Sequence, residues 1–302
     1  MSFTIAHLTD AHLAPAPWPR LSEMRLKRFM GYINWKRSRE RLSDMGALER
    51  LVADMRAQAP DHVAMTGDLV NIALPAEFRR AAAWMQTLGD RHDVSFTPGN
   101  HDAYVRDAMK GLAETFAPWT RGDDAYRRGE PFPFVRVRGE VALIGLSSAV
   151  PTAPLMATGR LGARQIAALA EILQETGAKG LARVILIHHP PLSRGGGALR
   201  GLTDARAFEA AVGRFGAEAI LHGHSHKRMT HHLPSPATRI AGGRIPILGA
   251  PSVSSGAAAP RQRAAYHLIT LTRAGEGWRV EARARGLMPG SAAIGEREAL
   301  AV

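Results

Sequence analysis

The chain of 302 residues contains no cysteine. Disulfides and thiolate zinc sites are therefore excluded, and any metal must be held by nitrogen and oxygen ligands. No leader-peptide pattern is visible, nor any apolar run of the roughly 18 residues that a membrane helix needs. The expectation is neither secretion nor membrane spanning, with the cytoplasm as the default compartment. No internal repeat is found, and no linker divides the chain. We therefore expect one domain over residues 1–286, with a basic insert at 18–43 and a loose tail at 287–302. Acidic residues are in deficit: 27 Asp and Glu stand against 39 Lys and Arg, a net charge of +12. That balance suits anionic partners such as phosphate esters, nucleic acid or an anionic membrane surface. A compositional arginine bias would give the same figure, so charge alone selects no partner.

Along the chain, short apolar runs alternate with stretches of helical spacing. SFTIAHLTD (2–10), HVAMTGD (62–68), VSFTPGNHD (94–102), VALIGLSS (141–148), RVILIHHPP (183–191) and AILHGHSH (219–226) read as strands. Residues 46–58, 76–88, 162–176 and 203–215 carry the 3.6-residue period of amphipathic helices. Asp204 stands at the start of the last of these as a candidate cap. The final third is strand-rich.

Five of the strand ends finish in residues able to bind a metal: Asp10-Ala-His12, Gly67-Asp68, Gly99-Asn100-His101-Asp102, His188-His189-Pro190 and Gly223-His224-Ser225-His226. In open α/β sheets, sites form beyond the carboxyl ends of strands, where segments distant in sequence converge. In an extended chain Asp10 and His12 would point the same way, as would His224 and His226. Glycines before Asp68, Asn100 and His224 permit tight turns and close backbone approach. Two carboxylates, an amide oxygen and several imidazoles suit Mn, Fe, Zn, Co or Ni better than Ca or Mg. One catalytic ion needs about three protein ligands, so this many candidates imply two ions sharing a carboxylate. Such a centre holds a hydroxide between the ions and clamps the oxygens of an in-line phosphoryl displacement.

The set DxH…GD…GNHD…HHPP…GHSH resembles the calcineurin-like metallophosphoesterase superfamily, and its five motifs occur in that family's order. The resemblance implies an α/β fold, a four-layer αββα sandwich of two mixed sheets flanked by helices. It implies a metal-dependent phosphoric ester hydrolase, with Asp10, His12 and His226 on one divalent transition-metal ion (Mn, Fe or Zn). Asn100, His188 and His224 would hold a second ion, and Asp68 would bridge. His101 would contact the phosphate or protonate the leaving oxygen. In the family's H-x-P motif the first histidine is the ligand, which selects His188 over His189. His189 and His222 are expected behind the ligands, and Asp102 is expected to orient His101 or to cap the next segment.

The motifs are most similar to a bacterial branch of cyclic-nucleotide and glycerophosphodiester phosphodiesterases, implying a small phosphodiester or nucleotide-type substrate. Residues 20–41 contain eight basic and two acidic residues, with Leu26, Phe29, Met30 and Ile33 at helical spacing. One reading packs that apolar face on the domain and leaves a solvated basic face. The other makes it an interfacial helix at the site mouth, meeting an anionic membrane or lipid at the inner membrane face. A hydrolase of lipid-linked phosphate or pyrophosphate, like the UDP-2,3-diacylglucosamine hydrolases, would follow from it. Nucleic acid is a further candidate partner, although no recognised binding module is present. A metal-poor binding scaffold is the reading from another class, and the intact ligand set argues against it.

Overall fold

In the computed structural model, residues 2–24, 26–127, 131–194, 197, 199–257 and 259–302 are described. Of the basic segment, Arg25 and the side chains of Ser38, Arg39 and Arg41 lie outside the described residues. The strands in chain order are β1 (Ser2–Leu8), β2 (His62–Met65), β3 (Val94–Phe96), β4 (Phe134–Arg138), β5 (Val141–Gly145) and β6 (Ala182–Leu186). They continue as β7 (Ala219–His222), β8 (Met229–Pro234), β9 (Arg244–Gly249), β10 (Ala265–Ala274), β11 (Gly277–Leu287) and β12 (Ile294–Leu300). The α-helices are α1 (Leu26–Asn34), α2 (Met45–Ala57), α3 (Pro75–Gln86), α4 (Met109–Thr120), α5 (Ala163–Ala178) and α6 (Ala205–Phe215).

Two mixed sheets result, in the orders β12-β11-β10-β1-β2-β3 and β4-β5-β6-β7-β9-β8. The central strands β2, β5, β6 and β7 are buried along their whole length. Continuous apolar runs are what strands covered on both faces require. Ile5, Ala64, Val184, Leu221, Ile269 and Trp278 fill the space between the sheets. On the outer face of the first sheet, Leu51 and Met55 of α2, Phe78 of α3 and Phe116 of α4 form a second core. On the outer face of the second, Leu169 and Ile172 of α5 meet Phe208 and Val212 of α6. The layers are therefore helix, sheet, sheet, helix, the architecture the resemblance implied. Among the described residues no helix is long and apolar enough to cross a membrane.

Three local expectations change. Residues 294–300 are not a loose tail: they form β12, an edge strand antiparallel to β11, with Leu300 buried in the inter-sheet core. Its alternating charges, in IGEREAL, are those of an edge strand and mask its periodicity. Asp204 stands at the N-cap of α6 without capping it; its carboxylate instead accepts the N–H groups of Leu161 and Gly162. The face of α1 that packs on the domain is also inverted. Arg28 and Tyr32 are buried, whereas Leu26, Phe29 and Met30 are exposed.

Candidate metal centre

The parallel strands β1, β2 and β3 end at one edge of the first sheet, and the parallel pair β6 and β7 ends in the second. The segments that follow them are knitted together by their backbones. Asp10 N–H donates to Gly67 O (2.9 Å), His12 N–H to Asp68 O (3.0 Å) and Gly223 N–H to His188 O (3.0 Å). Extended alternation does not orient the side chains, because β1 stops at Leu8 and β7 at His222. Instead Asp10, His12, Asp68, His224 and His226 all have left-handed backbone, with φ of 54°, 38°, 55°, 67° and 50°. Each such residue costs about 1–3 kcal/mol and persists where surrounding structure dictates it, typically at functional sites. Glycine supplies the close approach: a Cβ on Gly99 would strike Asp68, and one on Gly223 would strike Thr9 and Asp10.

Among the described residues, the ring and carboxylate atoms of Asp10, His12, Asp68 and His226 form one group within 4.8 Å, and those of His188, His189 and His224 another. Asp10 Oδ2 accepts Thr9 Oγ1–H (2.7 Å) and His224 N–H (3.0 Å). Asp10 Oδ1 is buried with no hydrogen-bond partner and faces His226 Nε2 at 3.1 Å. His12 donates Nδ1–H to Val70 O (3.1 Å), which leaves its Nε2 lone pair facing His226 Nε2 at 3.2 Å. His188 likewise donates Nδ1–H to Thr66 O (2.7 Å), and its Nε2 meets Asn100 Oδ1 at 3.2 Å. His224 Nδ1 lies 2.8 Å from the same Asn100 oxygen. A ring whose outer N–H is fixed on a backbone carbonyl is oriented and made more basic, the usual setting of a metal-binding histidine.

Asp68 stands between the groups. Its Oδ1 accepts His101 N–H (2.7 Å), and its Oδ2 lies 3.8 Å from His12 Nε2 and 3.4 Å from His188 Nε2. The orphaned Asp10 oxygen and this convergence of oxygen and nitrogen lone pairs fit divalent transition-metal ions.

His189 is close to the second group, yet both its nitrogens are engaged, Nδ1 with Ser148 Oγ (2.8 Å) and Nε2 with Ala157 O (3.2 Å). His222 lies buried behind the loop, with Nδ1 on Gly223 O (3.2 Å). Asp102 neither orients the His101 ring nor caps the segment after it. Its carboxylate accepts the N–H groups of Asp68 (2.8 Å), Leu69 (2.9 Å) and Gly99 (2.8 Å), tying the two loops together. The His101 ring is set by Nδ1–H donation to Asn71 O (2.5 Å) and by stacking on Tyr104 at 5.6 Å.

The electrostatics follow from burial among opposite charges. Burial alone would raise Asp10 and Asp68, but the imidazoles of His226 and His188 respectively pull both below the carboxylate range. Burial would lower His188; the Asp68 carboxylate outweighs it and raises the pKa to about 9. Two buried carboxylates thus lie among the imidazoles, a setting that favours positive charge. They open on a cleft of about 610 Å³ lined by His101, Arg200, Lys227, Ser254 and Gln262 among others. A separate cavity of about 560 Å³, walled by Phe116, Phe132 and Phe134, contains none of the candidate ligands. Sequence reasoning missed Arg200, which sits in a glycine-rich stretch without pattern, and Lys227, whose only signal was adjacency to His226.

A family model described as calcineurin-like phosphoesterase matches residues 3–228. No curated protein matches the chain. Among solved structures, a dimetal phosphatase from Danio rerio superposes with a TM-score of 0.61 at 14% identity, covering 95% of this chain and 97% of that one. A purple acid phosphatase from yellow lupin (Lupinus luteus) gives 0.56 at 11% identity, covering 95% of this chain and 52% of that one. The NAD nucleotidase of Haemophilus influenzae gives 0.53 at 16% identity, covering 93% and 49%. The chain therefore spans nearly all of the first neighbour and about half of the other two, and at these identities the likeness speaks for the fold.

Proposed function

The chain belongs to the calcineurin-like phosphoesterase family, metal-dependent hydrolases of phosphoric esters with a dinuclear centre, and on that ground we propose that it is a phosphodiesterase. In this reading Asp10, His12 and His226 hold one ion and Asn100, His188 and His224 the other. The observation that carries the two-ion reading is the Asp68 carboxylate, whose Oδ2 faces a histidine of each group at 3.8 and 3.4 Å. When bound, such a pair of Mn, Fe or Zn ions supplies Lewis acidity and lowers the pKa of water.

The protein's own groups do the rest. Asp102 fixes the Asp68 and Asn100 loops relative to one another. His101, oriented by Nδ1–H donation to Asn71 O, would exchange a proton with the leaving oxygen at Nε2. Arg200 and Lys227 in the cleft wall meet the charge of the phosphate. A cleft of about 610 Å³ is large enough for a substituent on both sides of phosphorus. A small diester such as a cyclic nucleotide or a glycerophosphodiester suits it.

The test is hydrolysis of bis(p-nitrophenyl) phosphate and p-nitrophenyl phosphate by Mn-reconstituted protein, beside Asp68→Ala with its metal content measured. The expected result is faster turnover of the diester by the wild type, and no turnover with depleted metal in the variant. Preference for the monoester would make the protein a phosphomonoesterase. A second reading, hydrolysis of a phosphate or pyrophosphate ester borne by a lipid, is favoured by the outward apolar stripe of α1.

A further inference from the structure

The insert helix α1 sits on the domain with its polar side inward. Arg28 is buried: its guanidinium donates to Ala73 O (2.8 Å) and Ile72 O (3.2 Å) and pairs with Asp107 (3.3 Å). Lys27 Nζ donates to Tyr104 O (2.7 Å) and Thr152 O (2.8 Å). These bonds fix the helix in a rotation that turns Leu26, Phe29 and Met30 outward, at the i, i+3, i+4 spacing of a single face. Water is an unfavourable neighbour for such a stripe, and contiguous exposed apolar surface marks a place of contact.

The stripe is not isolated. Trp18 is 83% exposed and Leu21 95% exposed ahead of the helix, whose first residue, Leu26, is 71% exposed. From two other loops come Leu155, 88% exposed, and Leu199, 58% exposed. These loops are joined by Ala157 N–H donating to Leu199 O (2.9 Å), and α1 is joined to the first of them through Lys27 and Thr152. All three segments reach the metal cleft, since Leu42, Ala157 and Arg200 lie in its wall. The loops that carry Leu155 and Leu199 therefore border the cleft, and the basic segment that contains α1 reaches it at Leu42.

The charge around them is predominantly positive. Residues 18–43 hold eight Lys and Arg against two Glu, and the loops 150–162 and 190–202 add Arg160, Arg194 and Arg200 and no acid. Arg20, Lys36, Arg37, Arg160, Arg194 and Arg200 are solvent-exposed. Nucleic acid would satisfy the arginines and leave the leucines wet. Large apolar tips among cations match the boundary between anionic headgroups and acyl chains.

We infer that the rim formed by α1 and the loops around Leu155 and Leu199 docks on an anionic lipid bilayer, and that the cleft takes a phosphate ester presented from that surface. The docking stands on the surface residues alone; the substrate class rests on the phosphoesterase reading. Docking excludes water from the rim and aligns the cleft with the headgroup plane, so a lipid-borne ester need not leave the bilayer to react.

The experiment is flotation of the full chain with vesicles of phosphatidylglycerol and phosphatidylcholine, or of phosphatidylcholine alone, at 0.1 M salt. It is repeated with Leu26→Asp/Leu155→Asp. Aspartate in the first turn of a helix is favourable, which protects the fold of α1. The wild type is expected to float with the anionic vesicles, at least tenfold more than with the neutral ones. The double variant should lose that binding at least tenfold while keeping wild-type hydrolysis of bis(p-nitrophenyl) phosphate. No flotation of the wild type, or equal flotation of the variant, overturns the docking. Wild-type self-association that the variant abolishes would also overturn it, because a second copy would then cover the rim. Flotation without hydrolysis of any ester would leave the docking standing and reject the phosphoesterase reading, so the two failures are distinguishable.

Discussion

His101 is positioned by contacts outside the two metal-binding groups and by one with the proposed ligand His12. Its Nδ1 is held by Asn71 O, its face lies on Tyr104, and its edge meets His12 at 4.8 Å. Its backbone N–H, not its ring, touches Asp68. His101→Ala therefore leaves every proposed ligand in place and removes the proton exchanged at Nε2. We expect metal content within error of the wild type and kcat lower by ~10²–10⁴, the range for lost general-acid help. A variant that loses its metal would show that the ring is a ligand. At this scale the identities of the site residues were legible, because each stands in a motif at the end of an apolar run. Their backbone conformations were not. Left-handed φ at Asp10 or His226 is dictated by loops that meet only in the folded chain. The role of Asp102 was hidden for the same reason, since two of the N–H groups it binds belong to Asp68 and Leu69, more than thirty residues earlier.

Elements with an uninterrupted period were readable, and those that break it were not. The helices α2, α3, α5 and α6 fall within a few residues of the segments marked by helical spacing. Helix α4 escaped because Gly111 and Pro118 interrupt it, although Leu112, Phe116 and Trp119 are buried on one face. Pro118 stands in the last turn, where it removes one helical N–H and its ring helps to end the helix. Strand β12 escaped because its outward charges protect an edge. It lies three places from β1 in its sheet and contributes no residue to the cleft wall or to the candidate ligands. Truncation after Pro289 removes the ladder to β11 and uncovers the pocket filled by Leu300. Burial of one leucine is worth about 1.5–3 kcal/mol, and the lost strand pairing adds to it. We expect urea unfolding to show a stability loss of about 2–4 kcal/mol with metal content unchanged. An unaltered midpoint would mean that the segment contributes nothing to the fold.

Over the whole molecule, the buried histidines outside the metal-binding groups set how the fold responds to acid. His7 bonds Thr66 Oγ1 (2.8 Å) and His62 bonds Ser95 Oγ (2.9 Å), whereas both nitrogens of His267 are buried without a protein partner. Burial pushes all three pKa values down, helped by His267 for His7, by Arg136 for His62 and by Arg228 for His267, which falls to about 3. In the unfolded chain each titrates at about 6.5. Below that pH the unfolded state binds protons that the folded state refuses, so stability falls as pH falls; above it these groups contribute no pH dependence. Each contributes up to about 1.4 kcal/mol per pH unit well below pH 6.5, and buried His189, His222 and His224, also lowered by burial, add in the same sense. His188, raised to about 9 by Asp68 against its burial, works in the opposite sense. Its contribution is lost as pH rises through 9, and it flattens out below 6.5. The depressed carboxylates of Asp10 and Asp68 begin to matter only below the ordinary carboxylate range. In the window from about pH 6 to 5 the buried imidazoles act against two carboxyls of opposite sense, Asp102, which burial raises to about 7, and Glu77, which burial also raises, and the imidazoles outnumber them. Urea unfolding in EDTA, which removes metal release from the comparison, should show the midpoint falling steeply across that window. His267→Phe should make the slope shallower, because one of the refused protons no longer exists. An unchanged slope in that variant would mean that acid sensitivity comes instead from the repulsion of a chain already carrying +12.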